Sequence, residues 1–90
     1  GRPIFAKADK ADGTPVPMGS ELLDSSGKAV GSVGQGGMAF IRGITGSGTL
    51  TARWGTHASD QCAMPYTVPA EDPKPKKHRP AVRIQLRCEE

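Results

Sequence analysis

The sequence has no asparagine, and with it no acceptor for N-glycosylation. Large apolar residues are scarce: Leu, Ile, Val and Phe together number 15 of 90. That falls below the one-fifth level at which disorder becomes an option. Disorder also requires a high net charge, however, and the balance here is only +3. The chain should therefore fold, around a small core. No apolar run comes near the roughly 18 residues of a membrane-spanning helix, and no signal-peptide pattern stands at Gly1. It reads as an excised or mature fragment. No window of about a dozen residues keeps an i, i+3, i+4, i+7 apolar stripe, which excludes long helices.

Glycine and proline are abundant instead, at 12 and 8 residues. They cut the chain into short runs, and the runs predict strands over 4–8, 21–24, 29–33, 38–42, 49–54, 62–68 and 81–87. The connectors carry turn chemistry. Ser25-Ser26-Gly27-Lys28 suits a tight hairpin, and Gly34-Gln35-Gly36-Gly37 offers positions that accept a positive φ. Seven short strands in a chain of this length predict an all-β fold. The expected architecture is one immunoglobulin-sized, Greek-key-like β-sandwich spanning residues 1–90.

Alternation assigns the faces. In 49–54, Leu50, Ala52 and Trp54 share the inner face while Thr51 and Arg53 point out, so Trp54 is expected in the core. In 81–87, Val82, Ile84 and Leu86 oppose Arg83, Gln85 and Arg87. The run 38–42 is apolar on both faces. With Ala39 and Ile41 inward, Met38, Phe40 and Arg42 form an outward apolar-basic strip, and a hairpin between the fourth and fifth strands would bring Arg53 beside it. Met38, Phe40, Arg42 and Arg53 are thus the candidate partner-binding residues. The plainer alternative is an ordinary sheet face with one incompletely buried aromatic.

The segment 69–80 resists strand assignment. Four prolines and the cluster Lys74, Lys76, Lys77 and Arg79 predict an extended, flexible Pro/Lys-rich loop. Without those four cations the rest of the chain carries −1, so the basic character is local. A solvated connection is the simpler reading, and contact with an acidic partner or lipid headgroups is the functional one. Nucleic acid is disfavoured, because no aromatics interleave the basic residues.

Cys62 and Cys88 lie far apart in sequence, one opening a predicted strand and the other directly after the last, with no C-x-x-C motif. A structural disulfide in an oxidising compartment is the favoured reading. It would pin the last strand beyond the flexible loop. A metal site built from Cys62, Cys88, His57 and His78 and a pair of free thiols are the alternatives, the former lacking the close ligand pair of most zinc sites. No cofactor is implied. Neither histidine has a positioned nucleophile, Asp9, Asp12, Glu21 and Asp24 flank turns, and the Gly34–Gly37 run lacks the spacing of a phosphate loop. The chain should bind or dock, and should not be an enzyme.

Several segments carry a resemblance. Gly13-Thr14-Pro15-Val16-Pro17-Met18-Gly19-Ser20-Glu21-Leu22 is followed by the most specific piece, Gly31-Ser32-Val33-Gly34-Gln35-Gly36-Gly37-Met38-Ala39-Phe40-Ile41-Arg42-Gly43-Ile44. Leu50-Thr51-Ala52-Arg53-Trp54-Gly55, Cys62, Tyr66-Thr67-Val68-Pro69 and Cys88 come after it in order. Over roughly residues 3 to 88 the sequence resembles the C-terminal periplasmic domain of the outer-membrane ushers of the chaperone-usher pathway. The resemblance implies a β-sandwich like the usher's own plug domain, and a disulfide between Cys62 and Cys88. It also implies a periplasmic domain of a bacterial outer-membrane protein that does not itself span the membrane. The implied partners are chaperone–pilin subunit complexes and the other domains of the same usher. An unrelated secreted or periplasmic β-sandwich that binds a protein or carbohydrate is the alternative function. The carbohydrate version is thinned by the presence of only four aromatics, Phe5, Phe40, Trp54 and Tyr66.

Overall fold

The computed structural model describes residues 2–70 and 81–90. The expected loop over 69–80 lies outside these residues from position 71 on, as does His78. Seven strands run in order β1 (Ile4–Asp9), β2 (Glu21–Leu23), β3 (Ala29–Val33), β4 (Met38–Ile41), β5 (Ser47–Arg53), β6 (Gln61–Thr67) and β7 (Val82–Arg87). Each starts and stops within a residue or two of where the breakers and alternation put it. The β2–β3 turn shows why. Asp24 accepts the amide N–H groups of Ser26 and Lys28, both at 2.9 Å, through one carboxylate oxygen, which closes the hairpin as an Asx turn.

The strands form one sheet in the order β6-β5-β2-β3-β4-β1-β7. All neighbours are antiparallel except β1 and β7, which run parallel. β2, β3 and β4 form a meander, and β1 returns beside β4, a Greek-key arrangement. The expected sandwich is thus realised as a single sheet rolled nearly into a barrel. Its inward residues, Ile4, Leu22, Ile41, Leu50, Met64 and Leu86, are each at most 1% exposed and join one core. The seam between β6 and β7, the two ends of the sheet, is closed by the Cys62–Cys88 disulfide, and beside it the Glu89 N–H donates to the Ala63 carbonyl at 2.8 Å. That bond removes the metal-site and free-thiol readings of the two cysteines.

Two expectations change. Trp54 lies just past the end of β5, half-buried, with the Lys10 ammonium 5.0 Å above its ring, so it caps the barrel end and does not fill the centre. A β4–β5 hairpin does not form either. β4 pairs with β1 and β3, and β5 pairs with β2 and β6. The connection over 42–46 therefore links two strands that β3 and β2 separate in the sheet.

At the same end as the disulfide, the carboxylate of Asp9 is buried between Lys7, with which it forms an ion pair, and the Gln85 amide, which donates to it at 3.0 Å. The hydrogen bond from Lys7 holds the Asp9 carboxyl below its ordinary 3.8, against the opposing effect of burial, with help from Gln85 and Arg87. A lowered folded value gives stability that is present above the unfolded value and lost as pH falls through the folded one. The unfolding free energy should accordingly decline below about pH 4, and Asp9→Asn should flatten part of that acid limb in urea titrations. An unchanged acid limb would contradict this role.

Candidate docking face

The outer face of the barrel has its own order, set by register. Phe40 on β4 stands opposite Phe5 on β1, and Phe5 stands opposite Arg83 on β7, so the three occupy one transverse row. Met38, Lys7 and Gln85 fill the next row in the same way. Directly opposed side chains on one face of a sheet are close enough to interact. Here the Phe5 and Phe40 rings meet edge to face, centroids 5.2 Å apart. The Arg42 guanidinium lies 5.0 Å over Phe40 and that of Arg83 5.7 Å over Phe5. A cation at this distance over a ring face is attracted by the ring quadrupole.

The strip leaves large apolar side chains in contact with water. Ala39 and Ile41 point inward and are buried, whereas Phe40 stays 40% and Met38 47% exposed. Met18, on the β1–β2 connection, is the other exposed large apolar residue. Met38, Phe40 and Arg42 therefore form the outward strip that alternation predicts. Phe5 and Arg83 extend it across two further strands.

Arg53 does not join that strip. It shares the transverse row of Phe40 but sits on β5, with β2 and β3 between. At the usual strand spacing this is about 14 Å away. Its guanidinium is 3.3 Å from the Glu21 carboxylate. Together with Gly19, Trp54, Gly55, Thr56 and Gln61 the pair lines a shallow cleft of about 590 Å³. His57 and Asp60 are structural, the His57 N–H donating to the Asp60 carboxylate at 3.1 Å to cap a 3-10 turn over Ala58–Asp60. No cluster of three or more metal-ligating side chains occurs among the described residues.

This fold and the ordered segments that build it find a match along most of the chain. A family model described as the PapC C-terminal domain matches residues 5–70. The chain belongs to the PapC usher C-terminal domain family. HifC of Haemophilus influenzae, an outer membrane usher protein, is 40% identical over 68 residues, which are 74% of this chain and 8% of HifC. The chain thus spans less than a tenth of the length of that relative. Among solved structures, the C-terminal domain of the PapC usher, described as structurally homologous to the plug of PapC, is 27% identical. It superposes with a TM-score of 0.65, over 98% of this chain and 92% of that one. An Escherichia coli P pilus tip assembly intermediate, PapC-PapD-PapK-PapG, matches at 25% identity and a TM-score of 0.72, over 98% of this chain and 10% of that one. Family membership removes the alternative of an unrelated sandwich.

Proposed function

We propose that this usher C-terminal domain is a periplasmic, non-catalytic docking module that receives chaperone–subunit complexes during pilus assembly at the outer membrane. The observation that carries the reading is the exposed Met38–Phe40–Arg42 strip. Covering such a patch with a partner removes apolar surface from water. The related PapC usher occurs in an assembly intermediate with PapD, PapK and PapG, which supports a partner of that class. The other domains of the same usher are the second expected contact.

Titration of the isotope-labelled chain with its cognate chaperone–subunit complex should shift NMR signals on β4 and β1. Phe40→Ala combined with Arg42→Glu should weaken that binding at least tenfold with a thermal midpoint within a few degrees of the parent. A tenfold loss corresponds to about 1.4 kcal/mol, a modest demand on one aromatic anchor and one guanidinium. Silence across all signals up to high micromolar partner would overturn the proposal. A large midpoint drop in the double variant would mark the strip as part of the core.

A further inference from the structure

The docking face carries a charge pattern that specifies its partner. The outer face of β4, β1 and β7 presents Arg42, Lys7, Arg83 and Arg87, against one carboxylate, Asp9. Asp9 is consumed internally: Lys7 pairs with it, Gln85 donates to it, and Arg87 stands opposite it in register. Arg42 and Arg83 have no carboxylate partner among the described residues. Each instead lies over a phenyl ring within cation–π range, at the two ends of the contact chain Arg42–Phe40–Phe5–Arg83. The β2–β5 side of the barrel differs, since its Arg53 is already matched by Glu21.

Resting on the docking reading above, we infer that the partner meets this face with an acidic protein surface, an apolar contact over Phe5, Phe40 and Met38 flanked by carboxylates opposite Arg42 and Arg83. The chemistry selects carboxylates. A guanidinium drawn over a ring by cation–π attraction still has N–H groups to offer, and they match a carboxylate in a bidentate pair. Two such N–H forks over neighbouring rings read two acidic groups at a set spacing, which gives orientation as well as attraction. Anionic lipid headgroups could also pair with guanidinium groups. The rings, however, lie edge to face against each other on a rigid sheet, with Phe5 half-buried, and do not project as membrane anchors do, which sink about 5–10 Å into the interface.

The test uses the 90-residue chain, its cognate chaperone–subunit complex, and vesicles containing phosphatidylglycerol. Arg42→Gln with Arg83→Gln should lower affinity for the complex at least tenfold. The parent's association rate should fall steeply with added salt, and the double variant should lose most of that dependence. Arg42→Lys with Arg83→Lys keeps the charge but not the fork, and should recover the salt dependence without the full affinity. A parent that binds the complex equally well with and without the two arginines, at every salt concentration, overturns the acidic-partner inference while leaving the docking reading intact. Vesicle binding that depends on the arginines, alongside complex binding that does not, overturns it in favour of lipid. A parent that never binds the complex overturns both.

Discussion

Replacing both Cys62 and Cys88 by alanine should lower the unfolding free energy by about 3.5 kcal/mol, the chain-entropy value for closing a loop of this length. The bridged residues are 26 apart in sequence. For a domain of this size that corresponds to a fall in thermal midpoint of roughly 15–25 °C. It is a large share of the 5–15 kcal/mol that holds a typical domain together. The position of the bond explains why so much rests on it. β6 and β7 are the two ends of the rolled sheet, and the disulfide joins them at the rim where the Glu89 N–H reaches the Ala63 carbonyl. β7 is otherwise held by its parallel pairing with β1 and by burial of Val82 and Leu86. In the double variant, amide exchange should accelerate most in β6 and β7 and least in the β2–β3–β4 meander. Because Arg83 sits on β7, partner affinity should fall as well. A midpoint drop below about 5 °C, with exchange raised evenly along the chain, would show that packing and not the bridge closes the barrel.

The strands were legible because glycine and proline mark their limits, and because alternation in a half-buried strand is a strong signal. Leu50 and Ala52 are fully buried where the pattern puts them, and Arg53 points out. The pairing of Cys62 with Cys88 was legible by the absence of any other cysteine. Strand order was not. Alternation turns Arg83 outward, yet it assigns no faces in 4–8, and nothing local says that β1 lies between β4 and β7. Without that order Phe5 and Arg83 are two unremarkable surface residues, and Arg53 is placed beside Phe40 by the default that consecutive strands pair. Trp54 was misjudged for a related reason: it is the last residue of its alternating run, and a strand's end lies at the barrel rim, where a large ring can stay half in water.

The turn feeding β4 supplies the second large effect. Gly36 and Gly37 both have positive φ, +69° and +83°, and both sit in the 3-10 turn Gln35–Gly37 immediately before Met38. Their surroundings differ. A Cβ on Gly36 would meet nothing within 4 Å, whereas one on Gly37 would lie 2.5 Å from the Ala8 carbonyl oxygen and 3.2 Å from Cβ of Pro15. Gly36→Ala should therefore cost only the conformational penalty of a left-handed alanine, about 1 kcal/mol. Gly37→Ala should cost that and the overpacking against backbone, about 3 kcal/mol in all. The wall it strikes cannot give way cheaply, because Ala8 is a fully buried part of β1 and its carbonyl already accepts the Val16 N–H at 3.0 Å. Relief has to come from the turn, which would move the start of β4 and with it Met38 and Phe40. Gly37→Ala should thus lose affinity for the chaperone–subunit complex in proportion to its displacement of β4, while Gly36→Ala keeps it. Equal stability losses for the two variants in urea titrations would show that backbone conformation alone governs this turn and that the β1 wall plays no part in setting β4.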